Sequence, residues 1–397
     1  MAINSKLKKL AIVTTHPIQY YAPLFQLLHE RQRIHIKIFY SWGSDALNKI
    51  DPGFQKKIDW DIPLLSGYPY EWLENTASFA GSHHFKGIIN PYFCERIDDF
   101  QPDAILVFGW AYHSHLKIIC HYKNKIPVYF RGDSTLLDQQ TFIKSFAKKI
   151  FLTWVYKHID HAFYVGSNNK AYFKHYGLAD SQLTFAPHAI DNERFSADRR
   201  VEALALRAQL GIDAQDIVIL FAGKMEEKKA PVLLLEAFIA MASPQLNLLF
   251  VGNGELEVIL QHKSKDYNNI HFLDFQNQSV MPDIYQLSDL FCLPSDGPGE
   301  SWGLAVNEAM ACGIPVVVSD KCGCAVDLVT DSNGAIFRSG NLKSLTAALL
   351  KVLAKPADLV KRGKASADII KSWNFAHIAD AIENKLLYST ENKQHNE

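Results

Sequence analysis

Long apolar runs are missing from this chain of 397 residues. None reaches the roughly 18–20 consecutive apolar residues that a helix needs to cross a bilayer. Charge of one sign is missing too: 41 basic against 42 acidic residues leave a formal net charge of -1. There is no polybasic stretch of the kind that nucleic-acid binders carry, which argues against that class of partner. Cysteine is scarce and scattered, six in all. Cys322 and Cys324 flank Gly323, but no second close pair completes a zinc site, so free thiols are expected. No internal repeat or low-complexity tract is visible. The segment Met1 to Leu10 is polar and basic, and the apolar run after it is too short for a signal peptide. The expected location is the cytoplasm, with peripheral contact at the inner membrane face as an open reading. The tail after Thr390 is polar and is expected to be disordered.

What the chain does have is enough apolar residues, 48%, for two buried cores, and its length suits two domains. Short apolar runs alternate with helical stretches. Leu10 to Thr14, Ile34 to Tyr40, Ala104 to Gly109, Val128 to Phe130 and His161 to Val165 read as strands in the first half. In the second, Ile217 to Gly223, Leu248 to Val251, Ile270 to Phe275, Leu290 to Leu293 and Val316 to Val318 do the same. Repeated βα units predict doubly wound parallel sheets.

The most informative stretch runs from Pro294 to Val318. A strand end is followed by a Pro/Gly-rich loop, a helix from about Gly303 to Ala311, and a further strand. Gly313 suits a helix C′ position, and Pro315 stops continuation. Glu300 precedes the helix and Glu308 lies within it. Eight residues of helix rise about 12 Å, too far for two carboxylates to share a proton. The spacing suits a long ligand with hydroxyls at both ends and negative charge between. The N–H groups at Gly303 and Leu304 form an anion site at the helix start. A nucleoside diphosphate sugar has this pattern: sugar at Glu300, diphosphate at the helix N-terminus, ribose at Glu308. A bare Glu-x7-Glu is more often a solvated helix end, so the surrounding residues carry the argument.

Those residues, Asn307 to Ala311 and Gly313 to Val317 above all, resemble the Glu-x7-Glu signature of the family 4 retaining glycosyltransferases, which have the GT-B fold. A second match is the strand ending at Gly223, with Lys224 next and Lys229 five residues on. It is similar to the family's Gly-Arg-x4-Lys-Gly element, whose two cations hold the donor diphosphate. Lys224 stands for the usual Arg and Ala230 for the usual Gly. Lysine binds phosphate as a point charge, with less geometric control than arginine's fork. Leu248 to Gly254 and Pro282 to Asp289 resemble further family elements. The resemblance covers residues 185–345 well and the N-terminal half loosely.

The resemblance implies a GT-B architecture, two doubly wound Rossmann-like domains facing across a cleft. Its expected parts are an acceptor-side domain at 1–192, a nucleotide-sugar donor domain at 193–372, and a helix crossing back at 373–397 with the tail. It implies a metal-independent retaining glycosyltransferase without cofactor. The donor would be a UDP- or GDP-linked sugar and the acceptor a glycan, a lipid-linked glycan or a small molecule. Surface-polysaccharide biosynthesis is the family-level expectation. Gly223, Ser301, Trp302, Gly303, Leu304 and Glu308 would bind the nucleotide part. Lys224, Lys229 and Glu300 would act on the reacting part, with His16 and Arg131 from the first domain.

Both first-domain assignments depart from the family. The loop Thr15 to Tyr21 lacks the usual Gly-Gly, and a loop histidine satisfied by backbone explains His16 as well. Arg131, then Gly132 and Asp133, fall where the family has a cleft histidine. Tyr112, His113 and His115 follow a strand and are further candidates. Two other functions stay open: a non-catalytic nucleotide-sugar-binding subunit and a GT-B sugar-nucleotide epimerase. Asp59-Trp60-Asp61 has a metal-holding Asp-x-Asp form but lies far from the donor elements, so it reads as structural. Phe142, Ile143, Phe146, Ile150, Phe151, Trp154 and Val155 recur at helical spacing among Lys144, Lys148, Lys149 and Lys157. A membrane-surface helix and a helix packed on its own domain both explain that pattern.

Overall fold

The computed structural model describes residues 7–48, 50, 51, 56–138 and 142–388. Contacts divide them into two units, one from the described residues of 1–49, 63–187 and 375–397, the other from those of 50–62 and 188–374. The polar tail after Thr390 lies outside the described residues, as do the side chains of Phe142, Ile143 and Lys144.

The first half of the chain supplies strands β1 (Lys9–Thr14), β2 (His35–Tyr40), β3 (Ile50–Asp51), β4 (Lys56–Lys57), β5 (Tyr70–Trp72), β6 (Ala104–Phe108), β7 (Val128–Arg131), β8 (His161–Tyr164) and β9 (Leu183–Phe185). Seven of these form one parallel sheet in the order β5-β2-β1-β6-β7-β8-β9, while β3 and β4 make a separate antiparallel pair. The central strands are buried along nearly their whole length, as helices on both faces of a parallel sheet require. A core of Val13, Phe39, Ile105, Ile118, Leu152 and Phe173 fills one of those faces.

The second half supplies β10 (Ile217–Ala222), β11 (Leu246–Val251), β12 (Ile270–Leu273), β13 (Leu290–Leu293), β14 (Val316–Ser319) and β15 (Gly334–Phe337). They pair in parallel in the order β12-β11-β10-β13-β14-β15. Both sheets are thus doubly wound, as the βα alternation predicts. In each, the order reverses beside the first strand of the unit, between β1 and β6 and between β10 and β13.

Two segments leave their place in sequence. The helix Phe375–Tyr388 belongs to the first unit. Its fully buried Glu383 accepts from Arg31 at 3.1 Å and Arg33 at 2.7 Å, and His377 meets Phe185 edge-on. Residues 50–62 group with the second unit rather than with the 1–192 segment around them. Trp60 meets Phe275, Asn277 donates to the Asp59 carbonyl at 2.6 Å, and the Asp61 carboxylate accepts from the Ser279 N–H at 3.2 Å. The carboxylates of the Asp-x-Asp tripeptide are therefore turned to structural ends: Asp61 caps a loop, and Asp59 stays solvated beside Lys57. Among the described residues no group of three or more His, Cys, Asp or Glu is arranged to hold a metal ion.

Candidate functional site

In open α/β sheets ligands gather beyond the carboxyl ends of the strands, where the strand order reverses. In the second unit that point lies between the loop after β10 and the loop after β13. Gly223 follows β10, and Gly252 follows β11. A Cβ on Gly252 would lie 2.2 Å from the Gly223 carbonyl oxygen, and the residue has φ +125. Only glycine permits that approach. The backbone then turns through Lys224 into a short 3-10 segment, Glu227–Lys229, and Ala230 follows at φ 47. Asp296 N–H donates to the Lys228 carbonyl at 2.8 Å, which ties this loop to the one after β13.

That tie brings Lys229 to Glu300. The ammonium nitrogen lies 2.6 Å from Glu300 Oε2, and the Ser295 hydroxyl donates to the same oxygen at 3.0 Å. Burial alone would lower the Lys229 pKa, but the Glu300 carboxylate more than offsets it and raises the pKa above its ordinary value. The lysine is therefore held as a half-buried cation. Glu300 is held from its backbone as well, because its carbonyl accepts from the Gly323 N–H at 3.1 Å. A Cβ on Gly323 would fall 1.7 Å from the Ser301 carbonyl oxygen, so the segment after β14 braces the loop closely. Cys322 and Cys324 sit in this brace as buried thiols. Burial, then the Glu300 charge, pushes Cys322 up to about 12.

Gly303, at φ 97, begins the helix Leu304–Ala311. The first N–H groups of a helix have no intrahelical partner, and the dipole makes them an anion seat. Leu304 and Ala305 occupy that position. Trp302 contributes only backbone there. Its indole is buried against His188 and Trp373, and its N–H donates to Asn307 at 2.9 Å. Glu308 is buried on the same helix and accepts from the Tyr285 hydroxyl at 2.8 Å. Sequence reasoning did not single out Tyr285 or Ser295. Each stands inside a matched stretch, but nothing local shows which way its hydroxyl points.

In the first unit the corresponding reversal holds a cavity of about 300 Å³ lined by Thr14, Thr15, Tyr21, Gly109, Trp110 and Arg131 among others. Arg131 is buried and donates to the Ala186 and Pro187 carbonyls at 2.7 and 2.8 Å. Burial pulls its pKa down to about 10, against the opposing Tyr21 and Asp133. Two of its donors thus hold the chain end after β9. His16 leans edge-on against Trp42, and its Nδ1 lies 2.8 Å from the Thr15 hydroxyl. His115 is buried between the Ser41 hydroxyl and the Gly109 carbonyl at 2.8 and 2.9 Å, which makes it part of the framework. Lys224, Lys229, Glu300, Gly303 and Glu308 all belong to the second unit, while His16 and Arg131 belong to the first.

Solved structures share this architecture over nearly the whole chain. The sucrose-phosphate synthase of Thermosynechococcus elongatus superposes with a TM-score of 0.72 at 17% identity, covering 98% of this chain and 100% of that one. Anabaena HepE in complex with UDP gives 0.72 at 16% identity, covering 96% and 99%. The fold is GT-B. The family model described as "Glycosyl transferases group 1" matches residues 203–369, the stretch that carries Lys224, Lys229, Glu300 and Glu308. The D-inositol 3-phosphate glycosyltransferase of Gordonia bronchialis is 29% identical over 52% of this chain and 47% of its own length. A GDP-mannose-dependent monoacylated alpha-(1-6)-phosphatidylinositol monomannoside mannosyltransferase of Corynebacterium glutamicum is 26% identical over 50% and 55%. The chain thus matches about half the length of these curated relatives.

Proposed function

We propose that the protein is a nucleotide-sugar-dependent glycosyltransferase of the retaining, family 4 type, working without a metal ion. The observation that carries this reading is the Lys229–Glu300 pair at 2.6 Å, beside the helix that begins at Gly303 and carries Glu308. The diphosphate of the donor takes the helix N-terminus, with Lys224 and Lys229 as counter-charges. Glu308, held by Tyr285, accepts from the ribose hydroxyls, and Glu300 accepts from those of the transferred sugar. Until donor arrives, Glu300 keeps Lys229 charged and in place. When the glycosidic bond breaks, negative charge grows on the leaving diphosphate, where preorganised cations and a helix end lower the barrier most. The acceptor hydroxyl attacks on the face the diphosphate leaves, and its proton passes to the departing phosphate oxygen. No separate general base is then required.

A uridine or guanosine diphosphate sugar is the expected donor. The UDP of the HepE complex and the GDP-mannose of the Corynebacterium relative support that class. The acceptor, a glycan or glycolipid, is assigned to the cavity of the first unit. Incubating purified protein with a panel of UDP- and GDP-sugars and candidate acceptors, in EDTA, tests the reading. Transfer with the anomeric configuration of the donor kept is expected, as read by NMR. Interconversion of donor without acceptor would establish the epimerase instead, and binding with neither hydrolysis nor transfer the non-catalytic subunit. Abolition by EDTA with rescue by Mn²⁺ would overturn the metal-independent mechanism.

A further inference from the structure

The helix Phe142–Tyr156 serves its own core with one face only. Leu152, Val155 and Tyr156 are buried. On the other side Phe146 is 61% exposed, Ile150 60%, Trp154 45% and Phe151 40%. These four positions fall at i, i+4, i+5 and i+8, which is one stripe of a helix. Phe151 stacks on Trp154 with ring centroids 6.0 Å apart and meets Trp110 at 5.5 Å, so the apolar surface continues past the helix. Scattered exposed apolar residues need no explanation, but a contiguous aromatic and aliphatic stripe does. Its flanks are basic. Lys148, Lys149 and Lys157 lie along it, and residues 142–158 contain no Asp or Glu.

We propose that this face, carried by Phe146, Ile150 and Trp154 and flanked by Lys148, Lys149 and Lys157, docks on an anionic lipid bilayer. Rings and aliphatic chains enter the boundary between headgroups and acyl chains, and the lysine ammonium groups stay at the lipid phosphates. The charge pattern decides against a second copy of the chain. A symmetric dimer through this stripe would set lysines of one copy against lysines of the other. The inference does not depend on the glycosyltransferase reading. It bears on it at one point: Trp110 and Tyr156 also line the cavity of the first unit, so docking would hold that cavity next to the lipid surface.

Cosedimentation of the full chain with vesicles tests this without any activity measurement. Binding to phosphatidylcholine–phosphatidylglycerol vesicles, weakened by salt, should exceed binding to phosphatidylcholine alone by roughly tenfold or more. Phe146→Ser with Ile150→Ser, both on exposed positions, should lower binding to the anionic vesicles by about tenfold or more. Lys148→Gln with Lys149→Gln should remove most of the preference for anionic lipid. Val201→Ser with Leu204→Ser, which takes exposed apolar groups from the second unit, should change nothing. Quenching of tryptophan fluorescence by brominated lipid should fall in Trp154→Phe. Circular dichroism checks that each variant is folded. Absence of binding to either vesicle would overturn the proposal, as would binding that survives the Phe146/Ile150 substitutions. So would a dimer, seen by sedimentation equilibrium, that those substitutions dissolve.

Discussion

Lys229 is half-buried and yet charged, and that combination depends on one neighbour, Glu300. Removing either group should therefore disturb more than one hydrogen bond. If Lys229 faces the leaving diphosphate as proposed, Lys229→Ala should lower turnover by roughly 10²-fold or more. Lys224→Ala should act in the same direction. Activity within a few-fold of wild type in both variants, by initial rates at saturating donor, would remove the phosphate clamp from the mechanism. The two glutamates should separate. Glu308→Gln should weaken the hydrogen bonds proposed to the ribose, since charge-assisted bonds are about twice as strong as neutral ones. Calorimetry should show lower affinity for the free nucleoside diphosphate. Glu300→Gln should leave that affinity nearly unchanged and cut single-turnover rates. The opposite pattern would mean that the donor lies the other way round.

The helix Pro231–Met241 shows how an element's ends carry its strain. Proline at its first position suits the start, but Ala230 before it and Ala242 after it have φ 47 and φ 46. Both are left-handed positions where glycine is usual. Ala242 is exposed, so its methyl group contributes no burial. Ala242→Gly relieves a left-handed penalty of about 1–2 kcal/mol and adds about 0.4–1 kcal/mol of unfolded-chain entropy. A net gain of about 0.5–1 kcal/mol is expected, seen as a higher urea midpoint. A lower midpoint would show that the helix end is not strained. Ala230, beside Lys229, carries the same strain at the edge of the candidate site.

At the scale of the molecule, the two units should differ in acid stability. His115 and His161 both lie in the first unit. Burial lowers His115 to about 4; burial, and then Lys385, lower His161 to about 3. Both are neutral in the folded chain at pH values where the unfolded chain binds a proton. Stability is therefore complete above the ordinary value near 6.5 and is lost as the pH falls through that window toward the folded values. At about 1.4 kcal/mol per pH unit, each histidine should cost about 2 kcal/mol by pH 5. Urea unfolding at pH 7 and pH 5, followed by hydrogen exchange in each unit, should show the first unit losing more. His115→Gln should flatten its pH dependence; an unchanged slope would exclude that histidine as a cause.

Much of this architecture follows from local chemistry. Runs such as Ile217 to Ala222, short and bounded by turn residues, read as strands buried on both faces, and their alternation with helices points to two doubly wound sheets. The residues proposed for the donor were picked out from the same local pattern: Gly223, Lys229 and Glu300 in loops after buried strands, and Gly303 and Glu308 at and within the helix that follows. Contacts between distant segments were not legible. The described residues of 50–62 join the second unit through Trp60, Asp59 and Asp61, because loop 275–279 offers the Phe275 ring, the Asn277 amide and the Ser279 N–H, which no local pattern announces. Tyr285 reaches Glu308 and Ser295 reaches Glu300 only once β13 has brought the loops together. Periodicity in residues 142–155 fitted both a packed helix and a lipid-facing one. The sheet beneath decided which side is covered, because it buries Leu152 and Val155 and leaves Phe146, Ile150 and Trp154 facing outward.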